Sequence, residues 1–294
     1  MQWRERRRRG ERAARALFFL CALATAALFL LIAAYVTASG LPAIREIGLK
    51  EFLLGRTWDS ANRESPQFGI LPLLLASVYG TAGAVVLSVP PGLLTALFLV
   101  KAAPKGVAAA VRYLVRLLAG VPSVVWGLVG MTALVPFLRE RLDLPAGDSL
   151  LAAVAVLAVM ILPTVVELSE DALSAVPASY EEASLALGAT AAETWFRVDL
   201  PAAGSGILAA VTLGAGRAMG EAVAILMVAG NAANMPGPLE SVRFLTAGIA
   251  MELSYAAAGS LRQRALFSIA LVLFVIIVLI NALLYWAGRS RKGG

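Results

Sequence analysis

An arginine and a glutamate lie four residues apart inside an apolar stretch, where GILAAVTLGAGRAMGEAVAILMVAG carries Arg217 and Glu221 beside Gly216 and Gly220. An ionised side chain in such surroundings costs several kcal/mol unless it is paired, so it marks a functional site by default. On a continuous helix the four-residue spacing puts both groups on one face and lets them pair. Two chemistries follow. In the first the ion pair is structural and fixes helix register. In the second Arg217 faces a passage and meets an anion in transit, with Glu221 orienting the guanidinium and keeping its field from trapping the anion. A guanidinium suits phosphate-like oxyanions because its donors form a rigid fork. Gly214, Gly216 and Gly220 remove side-chain bulk and let a helix or a ligand approach. Ser123, in GVPSVVWG, is a further polar candidate where Pro122 bends the chain, with packing as its plainer explanation.

Other chemistry is poorly provided for. There is no histidine and one cysteine, Cys21, so neither a His-based acid–base site nor an intrachain disulfide is available. The chain has no GxxxxGK[ST] phosphate loop and is not itself a P-loop ATPase. No metal site, no Ser–His–Asp set and no enzyme-like pair of carboxylates is expected. Glu167, Glu170 and Asp171 read as a solvated helix end.

Hydrophobic residues make up 60% of the 294 and charged residues 15%, with a mean hydropathy of +0.81. A soluble domain has roughly 25% charged residues, so this composition requires a bilayer. About twenty apolar residues cross the hydrocarbon core, and six stretches qualify: 16–38, 70–99, 114–137, 150–168, 205–229 and 266–287. The second is long enough to tilt or to break at Pro90-Pro91. A basic segment 1–15 with seven arginines precedes the first span, which is too long for a signal-peptide core and is expected to stay uncleaved. An outer loop 39–69 follows, then a five-span core over 70–287 and a basic tail 288–294. With six spans the ends share one side, which holds fifteen basic residues against nine on the other. The positive-inside rule makes that side cytoplasmic, and the net charge of +6 needs no nucleic acid. REIGLKEFLLG and VRFLTAGIAMEL, in the two outer loops, are candidates for interfacial helices.

The inner loop 171–203 reads DALSAVPASYEEASLALGATAAETWFRVDLPAA. A helix starting after Pro177 and stopping near Gly188 would put Tyr180, Ser184 and Leu187 on one side and Glu181 and Glu182 on another. So short a helix is marginal alone. It needs something to dock against, unless it is an ordinary loop lying on headgroups.

This loop resembles the EAA motif of ABC-importer permeases: E-A-A, three residues, G, nine residues, I, one residue, L-P. Glu182, Ala183 and Ser184 fill the first places, then Gly188, Val198, Leu200 and Pro201, with serine for the second alanine and valine for isoleucine. Over nearly its whole length the chain also resembles the PstC family of phosphate-importer permeases, through LPLLLASVYGTAGAVVLSVPPGLLTALFL, RLLAGVPSVVWG, GRAMGEAVAILMVAGN and LTAGIAMEL. The resemblance implies an all-α polytopic membrane protein with six transmembrane helices, the MetI-like fold of type I importers, and a cytoplasmic coupling helix. It implies a non-catalytic subunit of the bacterial cytoplasmic membrane that binds no cofactor, ATP and Mg being held by partner subunits. Those partners would be a homologous PstA-like permease, two copies of a PstB-like ATPase and a PstS-like phosphate-binding protein outside the membrane. It also implies that Arg217 and Glu221 serve phosphate transport and that Tyr180, Glu181 and Leu187 share the ATPase contact with the motif residues. Importers of molybdate, sulfate or phosphonate share the coupling motif and remain open, as does, more distantly, an ion-coupled secondary transporter.

Overall fold

The computed structural model describes residues 2–62 and 64–290, so Arg63, Arg291 and Lys292 of the charge count lie outside the described residues. The predicted span 16–38 falls within α1 (Gln2–Ile47). None of the apolar window of α1 is buried within the chain, as suits a helix facing lipid. It leans on α14 (Leu261–Ser290). Tyr35 meets Phe267 edge-on with ring centroids 5.6 Å apart, and Phe29 lies 5.9 Å from Phe274. The two backbones touch at Gly40, where a Cβ would sit 2.8 Å from the Phe267 carbonyl oxygen, and Ser268 Oγ donates to the Gly40 carbonyl at 2.6 Å. Only glycine permits that approach.

A short helix, α2 (Leu49–Leu54), anchors through fully buried Phe52. The strands β1 (Trp58–Asp59) and β2 (Gln67–Phe68) then pair antiparallel, stacking Trp58 on Phe68. The second span, α3 (Leu71–Leu97), runs unbroken through Pro90 and Pro91 and ends in a π-helical turn, Phe98–Ala102.

The third predicted span is displaced. Residues 114–120 belong to α4 (Lys105–Gly120), an amphipathic helix that ends before Pro122. The membrane-length helix is Ser123–Arg141, made of α5 (Ser123–Val129), a π-turn Gly130–Leu134 and α6 (Val135–Arg141). The apolar face of α4 merges in sequence with the true span, and the proline sets the boundary by disfavouring helix at the residue before it.

The centre of the molecule is α7 (Leu150–Ser174), begun by Ser149, whose Oγ accepts from the Ala152 N–H at 3.3 Å. Two thirds of its apolar window is buried, 67% against 0% for α1. Leu157, Ile161, Val165 and Val166 are closed off between α3 and the helices that follow. Next come α8 (Ala178–Ala186), α9 (Ala191–Thr194), a π-turn Trp195–Asp199 and α10 (Leu200–Ala202). The 191–202 run bends by 69° into α11 (Gly204–Gly220).

The predicted span 205–229 is not one helix. It breaks at Glu221 and Ala222 and resumes as α12 (Val223–Val228). Then α13 (Leu245–Glu252) carries the predicted interfacial sequence, but Leu245, Thr246, Ala247 and Gly248 are buried, so it packs into the protein rather than lying on the membrane surface. Five helices are long and apolar enough to cross a membrane, or six with the bent pair, among the described residues.

Candidate functional site: a broken span and a clasped loop helix

The break after Gly220 decides what Arg217 and Glu221 can do. Glu221 leaves the helix with extended backbone, φ −70° and ψ 131°. Its carboxylate turns forward to accept the Ala224 N–H at 3.0 Å, capping α12, and its carbonyl accepts the Thr246 hydroxyl at 2.6 Å. The expected Arg217–Glu221 pair is therefore absent. The four-residue rule holds only where the helix continues, and here Glu221 satisfies one of the orphan N–H groups that a helix start exposes.

Arg217 is exposed on α11, and its Nη1 donates to the neutral Thr164 Oγ1 of α7 at 3.2 Å. It forms no ion pair among the described residues. A Cβ at Gly216 or Gly220 would meet nothing within 4 Å, whereas at Gly214 it would touch Val165 and Ile161. Gly214 thus serves packing on α7, and the other two leave open space flanking the guanidinium. Ser123 opens α5 and makes no hydrogen bond to Arg217 or Glu221. Its helix meets α12 instead, Gly127 lying against Ala224 and Met227. Thr164 gave no signal in the sequence, since it lies 53 residues away on another helix.

The loop helix α8 begins after Pro177 and ends at Ala186, two residues before Gly188, near where its sequence predicts. Gly188 has φ +86°; its N–H bonds to the Leu185 carbonyl, and the Ala189 N–H reaches back to Ser184. These two bonds form a Schellman cap, which wants a left-handed residue at that point, and this explains the glycine physically. Thr190 then caps α9 in a capping box with Glu193.

The predicted faces of α8 are rearranged. Ser184 turns inward, its hydroxyl 2.8 Å from that of buried Thr194, while Tyr180 (52% exposed) and Leu187 (90%) remain in the open. The two glutamates divide as well. Glu182 and Ala183 are exposed, but Glu181 reaches Lys101 Nζ at 2.7 Å, and the same ammonium lies 2.7 Å from Asp199 Oδ2. Val198 and Leu200 are half-buried and Pro201 is exposed. Lys101 and Asp199 were missed in sequence because their partners are remote.

At the opposite end of the bundle, Glu252 gathers four side chains. It accepts from Trp58 Nε1 at 2.8 Å, Ser60 Oγ at 2.5 Å, Arg243 Nη1 at 2.9 Å and Arg262 Nη2 at 3.1 Å. The hairpin, the 231–243 segment and the start of α14 are joined through this one carboxylate.

Residues 88–292 match the family model described as binding-protein-dependent transport system inner membrane component. Over 292 residues the chain is 35% identical to the probable ABC transporter permease protein YqgH of Bacillus subtilis, covering 98% of this chain and 94% of that one. It is 33% identical to the phosphate transport system permease protein PstC 2 of Mycobacterium tuberculosis, over 98% and 93% of the two chains. Among solved structures, a chain of a bacterial alginate ABC transporter superposes with a TM-score of 0.66 at 15% identity, covering 95% of this chain and 96% of that one. An inward-facing MetNI methionine transporter chain gives 0.58 at 21%, covering 76% and 97%. The fold is that of the MetI-like importer permeases, which sets aside the secondary-transporter alternative, and the chain belongs to the family of binding-protein-dependent inner-membrane transport components, as a non-catalytic permease half of a type I ABC importer.

Proposed function

We propose that this chain forms half of the passage of an ATP-driven inorganic phosphate importer, with Arg217 meeting the anion in transit. The observation that carries the reading is the state of Arg217: an exposed guanidinium deep in the apolar run, held only by a neutral hydroxyl and flanked by the open faces of Gly216 and Gly220. A charge left without a counter-ion in such a place is held ready for a mobile one. Counted from Gly204, Arg217 lies about 20 Å along the helix at 1.5 Å per residue, well inside the membrane. Relatives named for phosphate transport support the substrate. Glu221 acts indirectly, by stopping α11 beside the arginine and starting α12. Ser123 lines the same passage from α5.

The reading sets both termini in the cytoplasm of a bacterial cell, with α8 as the coupling helix. Its exposed Tyr180, Glu182, Ala183 and Leu187 present a docking face to one of two ATPase copies, which hold ATP and Mg. Gly188 closes that helix, and Val198, Leu200 and Pro201 lead from it into the bend before α11. A homologous permease chain completes the passage and an extracytoplasmic phosphate-binding protein delivers the anion. Nucleotide-driven closure moves the coupling helices and opens the passage outward; separation of the ATPases opens it inward. Transport needs an anion site whose affinity differs between the two states, because a site equally tight in both would drive nothing.

The test is ATP-dependent phosphate uptake into vesicles holding the assembled complex, wild type against Arg217→Ala, with assembly followed in parallel. Loss of uptake in an intact complex is the expected result. Unchanged uptake removes Arg217 from the path. Uptake of molybdate, sulfate or a phosphonate in place of phosphate leaves the importer standing and overturns its substrate.

A further inference from the structure

Lys101 joins three parts of the molecule that the sequence keeps apart. It sits in the π-turn Phe98–Ala102 that ends α3, and its ammonium lies 2.7 Å from Glu181 on α8 and 2.7 Å from Asp199 in a second π-turn, Trp195–Asp199. Its side chain is 12% exposed and that of Asp199 1%, so the inner pair is screened from water and salt. Among the described residues, Lys101 is the one cation paired with Asp199, and no hydrogen bond reaches the Asp199 carboxylate. A buried charge with a single partner holds that partner firmly, because separation would strand it. The arm to Glu181 (33% exposed) is wetter and weaker. Ser184 and Thr194 add a second link between α8 and the 191–202 segment. π-turns widen a helix locally and occur often at functional sites. Here they occur on both strands of chain that hold the pair.

We infer that Lys101 is a positioning residue for energy coupling, a clasp that makes α8 move as one body with the ends of α3 and of the bent segment leading into α11. The inference rests on the reading of α8 as the coupling helix. It explains why the neighbouring glutamates point in different directions: Glu182 is left for the ATPase, while Glu181 is turned into the chain to transmit what the ATPase does. Displacement of α8 then reaches α3 through Lys101 and reaches α11, the bearer of Arg217, through Asp199. A loop helix tethered only by its ends would absorb that displacement in its own flexibility.

The obvious variant, Lys101→Met, strands the buried Asp199 carboxylate and endangers folding, so Glu181→Gln is used; it weakens the α8 arm by removing its charge and keeps the Lys101–Asp199 pair. In a Cys21→Ser, Tyr79→Cys background, a spin label at position 79 reports the movement of α3 in vesicles holding the full complex, nucleotide-free or vanadate-trapped. The expected result is that the vanadate-induced spectral change seen without the Glu181 substitution is reduced in Glu181→Gln, where α8 still reaches α3 through Ser184–Thr194 and Asp199–Lys101, and recovered in Glu181→Asp, with the ATPase subunit still co-purifying. A spectral change in Glu181→Gln as large as in its parent overturns the clasp. Loss of the ATPase subunit from Glu181→Gln overturns it too, by placing Glu181 on the docking face. Phosphate uptake by the wild type, measured beside it, fails independently if the substrate assignment is wrong.

Discussion

Glu252 and Arg217 are both charged groups in a largely apolar protein, yet their surroundings are opposite. Glu252 is nearly buried and takes two arginines, an indole and a hydroxyl. Arg217 is exposed and has one neutral hydroxyl. The first arrangement closes on itself: nearly every lone pair is used, and three separate stretches of chain are fixed by it. The second stays open: among the described residues nothing lies within 4 Å of a Cβ placed at the neighbouring Gly216 or Gly220. A structural charge is recognised by saturation, and a charge kept for a ligand by the want of it.

The sharpest way to break this comparison is to remove the saturated carboxylate. Glu252→Leu leaves Arg243 and Arg262 without their counter-ion and the Trp58 indole without its acceptor. Breaking a buried pair from one side costs about 3–5 kcal/mol. Thermal unfolding of the purified complex should show a marked loss of stability, with the hairpin and the 231–243 segment opened to protease. If Glu252→Leu unfolds like the wild type, the contrast with Arg217 fails.

Arg217→Ala should do the reverse. Its contacts within the chain are slight, so the unfolding temperature should stay close to wild type while uptake falls. A hydrogen bond to a charged group contributes about 1.5–3 kcal/mol, or roughly ten- to a hundredfold in transport. Arg217→Lys should recover only part of this, since an ammonium cannot reproduce the planar fork. A stability loss as large as that of Glu252→Leu would make Arg217 structural.

How far the sequence reaches follows the same division between local and remote. The α8 helix was legible because Pro177, the short apolar–acidic run and Gly188 act within a dozen residues, and the Schellman cap requires that glycine. The long helices at the start and end of the chain were legible from hydropathy alone. The third was misplaced because the apolar face of α4 runs into Pro122 without a polar gap. The Arg217–Glu221 pair was misread because the apolar run continues across Gly220 and Glu221 without interruption, although Glu221 caps the helix that follows. At the break the Glu221 carbonyl takes the hydroxyl of Thr246, 25 residues on, a contact the sequence does not display. Lys101 with Glu181 and Glu252 with Trp58 are separated by 80 and 194 residues and could be found only in three dimensions.

A gentler change tests saturation itself. Arg262→Met leaves Glu252 with Arg243 in a one-to-one pair and keeps much of the packing of the stem. Because Arg262 is partly exposed, its loss should cost about 1 kcal/mol or less. The unfolding transition of the complex should move far less than with Glu252→Leu. A cost equal to that of losing the carboxylate would mean that both arginines are needed to hold the outer segments.

The smallest effect is expected at Thr164. Thr164→Val keeps the shape of the side chain and removes only the oxygen that accepts from Arg217. A hydrogen bond from a charged donor is worth about 1.5–3 kcal/mol, but water takes the place of the hydroxyl at an exposed guanidinium. Because water restores most of that contribution, uptake should fall by only about two- to threefold, with stability unchanged. If Thr164→Val instead matched Arg217→Ala, the hydroxyl would itself contact the anion, and the open site would include a donor from α7 as well as the guanidinium of α11.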